Sequence, residues 1–218
     1  MFARQGLNIV VLLATESLLL WIPGLYSTQG NPLPAFGRNT VLVWKLQNLQ
    51  FSSNFVVRIA EFEPDRFIEW EDDKTQGTLF MPARDILNAG GYVTSQLFEG
   101  GRDARSSNVI TLWLSRKIFN QLKEKGRVKL NVDGVAGLWI LQGKSSFAVD
   151  VNGISVNLPV IRVTDDRGGE RWFLDQVDNS LLLKHTLREF TQTLVSITTN
   201  RPNTLRWIKG RKLADLQQ

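Results

Sequence analysis

The chain has 218 residues, 43% apolar and 22% charged, a balance that fits a folded domain and excludes a disordered one. It contains no cysteine and one histidine, His185, which excludes disulfides, thiolate metal sites, a catalytic cysteine and any site built on two imidazoles. The net charge of +5 sits mostly in residues 201–218, which carry +4, so the body is close to neutral and no nucleic-acid footprint is expected on it.

Residues 7–22 are apolar apart from Asn8, Thr15, Glu16 and Ser17; Arg4 precedes them, and Pro23, Gly24 and small polar residues follow. A basic start, a short apolar run and a small-residue break describe a signal peptide. Residues 1–30 are therefore expected to be a signal peptide or an uncleaved N-terminal anchor, with a buried helix as the third reading. Glu16 and the shortness of the run argue against an assured membrane span. No cysteine follows the run, so a lipoprotein anchor is excluded.

Residues 31–37 read as a linker into a single β-rich domain over 38–200. Strands are expected over Val41–Leu49, around Phe55, Val57 and Ile59, over Arg66–Glu71 with Ile68 and Trp70 on one face, and over Gln76–Met81. Two short helices interrupt them. Pro82–Ala89 has a proline suited to the first helical position and stops at Gly90–Gly91. Ser115–Lys125 has a capping serine, an apolar stripe of Ile118, Phe119 and Leu122, and Gly126 as its left-handed stop.

The C-terminal half reads as hairpins: Arg127–Asp133, Gly137–Gln142, Phe147–Val151, Ile154–Leu158, Val160–Thr164, Glu170–Leu174, Leu181–Leu187 and Thr191–Thr199. Asn152–Gly153 is the strongest hairpin signal among them. Strands joined by turns of this length pair antiparallel, so the expected fold is mainly β: a curved antiparallel sheet, half-barrel or sandwich, with one or two short helices. Such a sheet must hide one apolar face. Trp44, Trp113, Trp139 and Trp172 are the candidate ligand-binding wall of a concave apolar surface.

No catalytic constellation emerges, and no cofactor or metal site is expected. His185 alternates with Lys184 and Thr186 and reads as a surface or satisfied residue, without a nucleophile elbow anywhere in the chain. Asp165-Asp166-Arg167-Gly168-Gly169-Glu170 is too short for an EF-hand and reads as a hairpin tip. Glu61, Glu63, Asp65, Glu69 and Glu71 could supply a carboxylate pair at glycosidase separation. The glycine pairs match no phosphate-binding loop. The basic tail, with Trp207 and Ile208, could touch an anionic membrane or could be a solvated terminus.

Leu-Ser-Arg-Lys-Ile-Phe from Leu114, Leu-Lys-Glu-Lys-Gly from Leu122, Val-Asp-Val-Asn-Gly from Val149, Leu-Pro-Val-Ile-Arg-Val from Leu158 and Glu-Arg-Trp-Phe-Leu-Asp from Glu170 resemble a group of uncharacterised exported bacterial β-rich proteins. The chain has Ser180 where that group tends to have proline. More remotely, the pattern is similar to the half-barrel lipoprotein-carrier fold of the bacterial envelope. The resemblance implies a concave apolar surface for an acyl chain or a hydrophobic segment, and it supplies no catalytic residues. The expected function is a non-enzymatic, exported, periplasmic or envelope-associated binding protein for an apolar ligand, lipid or envelope protein, with membrane contact through the N-terminal segment or the tail. The alternatives are a carboxylate-based hydrolase, using Glu61–Glu71 or Asp165–Asp175, and a purely structural domain.

Overall fold

Among the described residues, thirteen strands and two short α-helices follow one another. They are β1 (Val41–Gln47), β2 (Ser52–Glu61), β3 (Arg66–Glu71), β4 (Gln76–Met81), α1 (Ala83–Asn88), β5 (Gly91–Tyr92), β6 (Asp103–Arg105), β7 (Val109–Ile110), α2 (Arg116–Lys125), β8 (Arg127–Val132), β9 (Val135–Val151), β10 (Ile154–Asp165), β11 (Glu170–Leu174), β12 (Leu182–Leu187) and β13 (Phe190–Thr198). The computed structural model describes residues 35–101, 103–199, 201–202 and 204–206. The N-terminal apolar segment and the tail from Trp207 onward lie outside the described residues, so the signal-peptide, anchor and tail readings find no structural counterpart here.

The strands form one curved sheet in the order β6-β4-β3-β2-β1-β13-β12-β11-β10-β9-β8-β5-β7. β13 also meets β9 in parallel, at Ser196–Asp150 and Ile197–Val151, so the strands from β9 to β13 close into a five-membered ring. The hairpins are antiparallel as expected; the short strands β5, β6 and β7 pair parallel. No helix among the described residues is long and apolar enough to cross a membrane.

Local chemistry explains the joints. Ser115 caps α2 by accepting from the Ile118 amide at 3.1 Å while donating to the Ala89 carbonyl at 2.8 Å. Gly126 closes the helix with φ of 69°. Asn152 and Gly153 both have positive φ, 54° and 86°, the geometry a two-residue hairpin needs to match strand twist.

Two strands run through positions where the sequence suggests a break. β9 continues past Gly143, whose φ of 131° sits beside a bulge opposite Arg162 and Val163; the glycine bends the strand instead of ending it. β10 continues past Pro159, which lies just before β11 begins to pair at Val160, where a missing amide breaks no ladder bond on that side.

The concave side is filled by the protein itself. Trp44, Trp70, Trp113 and Trp139 are each fully buried. Trp44, Phe55, Trp70 and Phe98 pack ring on ring, and Tyr92, Trp139 and Phe173 form a second aromatic group. On the opposite face of β2–β4, Ala60, Phe67 and Phe80 enclose Leu205. The Arg206 amide donates to Glu69 Oε2 at 2.8 Å, so the first residues of the tail belong to the fold.

Antiparallel pairing gives the sheet two ends. The turns β1–β2, β3–β4, β8–β9, β10–β11 and β12–β13 lie at one, the turn end. The β2–β3 turn, the β11–β12 loop and both helices lie at the other, the helix end.

Candidate functional site

The site with the strongest unmet chemistry is at the helix end. Along β3, Arg66, Ile68 and Trp70 share the concave face by the two-residue period of a strand. Arg66 is the last of the three, where the apolar core stops, and it is 2% exposed. Its Nη2 donates to the Asp178 carbonyl at 2.7 Å. Nε and Nη1 have no hydrogen-bond partner among the described residues. The rings of Phe62 and Trp113 stand 4.7 and 4.8 Å from the guanidinium carbon. Cation–π contact of this kind partly replaces hydration but leaves the in-plane N–H groups unsatisfied.

Burial pushes the Arg66 guanidinium down to about 9, against the Glu63 and Asp178 charges that hold it up. At neutral pH it is still a cation. A buried cation without a bonded carboxylate is an expensive arrangement, and each unmade hydrogen bond there adds to the expense.

Arg66 borders a cavity of about 580 Å³. The β2–β3 turn supplies Phe62 and Pro64, α1 supplies Ile86 and Leu87, and the β11–β12 loop supplies Val177. These are apolar walls. The charges are Arg66 and Arg116 against Glu63 and Asp178, so the cavity is balanced overall. Arg116, at the start of α2, donates to the Asp178 carboxylate at 2.5 Å, which leaves that carboxylate committed to the rim. A second cavity of about 600 Å³ lies across the turn and shares Phe62, Glu63 and Asp178 with the first. Phe36 packs edge-on against Phe62 there, with ring centres 5.6 Å apart.

The four tryptophans named from the sequence do not form one wall. Trp113 is the one beside Arg66; its Nε1 donates to Asn179 Oδ1 at 3.0 Å. Trp44 is held in the core, donating to the Leu182 carbonyl at 3.0 Å. Trp139 lies at the turn end, and Trp172 is on the opposite face of β11 from Phe173, flanked by Phe147, Arg162 and Lys184. The concave wall expected of them is packed shut, because large rings on neighbouring strands fill one another's space.

Asp65, Glu69, Glu71, Asp165 and Asp175 are engaged in ion pairs, turns and amide contacts, whereas Glu61 and Glu63 line the second cavity. Burial pulls the Asp165 carboxyl up, but hydrogen bonds from Arg171 and from the Gly169 and Arg167 amides outweigh it and hold it below the usual range. Asp175 is lowered the same way, its burial outweighed by Lys123 and Lys144. Asp65 accepts from the Ala83 amide at 2.6 Å, and Glu71 pairs with Arg58 and Arg206. Glu61 is raised by burial and by Asp65 beside it. Among the described residues no group of three or more acidic or histidine side chains could hold a metal.

His185 is a correction. It is 2% exposed and neither ring nitrogen has a partner among the described residues, so it is neither a surface nor a satisfied residue. The signal was present in the alternation of Leu181, Leu183 and His185, which places the imidazole on the buried face. Arg66 carried the same signal through Ile68 and Trp70. No family model, curated protein or solved structure matches the chain.

Proposed function

We propose that the protein is a binding module for an amphiphilic monocarboxylate, with the head group at Arg66 and the apolar portion along Phe62, Pro64, Ile86, Leu87 and Val177. One observation carries the reading: a guanidinium 2% exposed, with two nitrogens that lack a partner among the described residues, borders a cavity with apolar walls. A carboxylate is the acceptor an arginine pairs with best outside phosphate. Glu63 and Asp178 favour one negative charge over two. The cavity lies within the size range of small-ligand sites.

The module works outside the cytoplasm, at the bacterial envelope, and it binds without catalysis. Export is supported by the character of residues 1–30, and the reading without catalysis by the ion pairs that hold Asp165 and Asp175, two of the carboxylates a hydrolase would use. A second reading, a purely structural domain, is favoured by the filled concave side.

Titration of the full chain with decanoate, 1-decanol and acetate, followed by calorimetry and by intrinsic tryptophan fluorescence, separates the two. Decanoate is expected to bind at least about tenfold more tightly than decanol and acetate, and Arg66→Gln to lose roughly that factor. Leu87→Asp, at a side chain 39% exposed, places a like charge in the cavity without disturbing the core and is expected to act in the same direction. Equal affinity for decanoate and decanol, or no binding of either, sinks the proposal.

A further inference from the structure

The turn end holds a second set of unmet hydrogen bonds, independent of Arg66. Trp139 on β9, Arg171 on β11 and His185 on β12 face inward from the closed ring of strands and border a cavity of about 300 Å³. They are 0%, 2% and 2% exposed. Trp139 Nε1, Arg171 Nε and both nitrogens of His185 lack partners among the described residues. Arg171 is otherwise well held: Nη1 donates to Asp165 Oδ2 at 2.6 Å, and the guanidinium lies 4.8 Å from the Trp139 ring centre. So many orphaned polar atoms around one cavity are rare, because buried polar groups are nearly always bonded.

The charges around this cavity differ from those at the helix end. Asp133, Asp165 and Asp166 face it against Arg167 and Arg171. The excess acid disfavours an anion. The carboxylates themselves are engaged, Asp133 by Thr94, Asp165 by Arg171 and Asp166 by the Leu138 amide, so the groups left unmet on the indole and guanidinium are N–H donors, which a cation cannot satisfy. What remains is a neutral molecule rich in oxygen. A neutral imidazole can accept from a hydroxyl at one nitrogen and donate at the other, whereas an indole and Arg Nε can only donate. Hydroxyls satisfy all three, since each both donates and accepts.

An aromatic surface adjoins the polar one. A neighbouring cavity of about 330 Å³ shares Thr94, Ser95 and Phe190 with the first and adds Leu46, Phe55 and Phe98. Polyhydroxylated rings present apolar C–H faces beside their hydroxyls, which suits this juxtaposition of aromatic and hydrogen-bonding walls.

We infer that the Trp139–Arg171–His185 cavity is a binding site for a neutral polyhydroxylated molecule the size of a monosaccharide. The fold provides its own reporter. His185 is the one histidine in the chain, so its ring-nitrogen resonances need no assignment.

The test is a titration of the ¹⁵N-labelled full chain with glucose, N-acetylglucosamine and myo-inositol, with sodium acetate and decanoate as anionic arms. At least one polyol is expected to shift the His185 ring nitrogens and the Trp139 indole cross-peak saturably, with a Kd below about 1 mM, while the anions leave both in place. His185→Leu should weaken that response at least roughly tenfold. Because His185 is buried, Ser95→Trp serves as the second variant; Ser95 is exposed at the rim, and a large ring there should block access without touching the core. No saturable shift with any of the three polyols means that these groups hold only water and overturns the inference. An equal response to acetate overturns it too. Neither result bears on the decanoate arm at Arg66, so the two readings fail separately.

Discussion

The two ends of the sheet each bury an arginine, and they treat it differently. At the turn end Arg171 faces Asp165 across 2.6 Å, with side chains 3% and 6% exposed. At the helix end Arg66 is as deeply buried, yet it meets a backbone carbonyl and two aromatic rings in place of a carboxylate. A compensated cation is part of the scaffold, and removing its partner strands a charge in the interior. An uncompensated cation is held in place by its surroundings at some expense, and that expense is what a bound anion would relieve. The same side chain thus serves as structure at one end and, on the proposed function, as the recognition group at the other.

The largest effect should come from breaking the compensated pair. Asp165→Asn keeps an oxygen for the turn amides of Arg167 and Gly169 but removes the charge facing Arg171. Loss of one partner from a buried ion pair costs about 3–5 kcal/mol, read as a fall in the urea midpoint at unchanged slope. Arg66→Met, by contrast, should be close to neutral or stabilising by about 1 kcal/mol, since no buried acid is left behind. If both substitutions destabilise equally, the distinction between the ends disappears.

Next in size is the pH dependence of the turn end. Burial, with Arg171 beside it, pushes the His185 imidazole down to about 3, against the pull of Asp165. In the unfolded chain the ring protonates near its ordinary value of about 6.5. Below that pH the unfolded state takes up a proton that the folded state refuses. Stability is therefore full above about pH 6.5 and falls as the pH drops toward 3, by on the order of 1.4 kcal/mol per unit where the slope is steepest. Thermal melts of the wild type and His185→Leu across that window should diverge, the leucine variant lacking this share of the acid slope. Parallel curves would place His185 in contact with water or a bonding partner.

Much of this architecture could be read from the chain. The strands flanking Asn152–Gly153, the caps at Ser115 and Gly126, and the registers of β3, β4 and β11 follow from turn chemistry and period-two alternation, which act over a few residues. The short strands β5 and β7 could not be read, because two residues carry no period; β5 forms on the edge that β8 offers, and β7 on the edge of β5. The closure of β13 on β9 is also non-local: it needs the bend at Gly143 to bring Asp150 to Ser196. The two ends were partly legible. Tryptophan marks bulk, and bulk mostly fills a core. The more informative residues were the polar ones at inward positions of otherwise apolar alternations: Arg66 before Ile68, Arg171 before Phe173, and His185 after Leu183.

The smallest effect sharpens the comparison most. Asp178 gives its carbonyl to Arg66 and its carboxylate to Arg116, and the side chains of that second pair are 62% and 51% exposed. Ion pairs so open to solvent contribute about 0–1 kcal/mol, so Asp178→Ala should leave the urea midpoint almost unmoved. The backbone carbonyl survives the substitution, and with it the contact that positions Arg66. What changes is the field: one negative charge leaves the cavity and Arg116 loses its partner. Decanoate should then bind roughly two- to fivefold more tightly, an increase that shrinks as salt is added. Tighter binding without a change in stability would place the carboxylate head beside Arg66. An unchanged affinity would move it elsewhere, and the bare cation at the helix end would then be a structural strain without a ligand to relieve it.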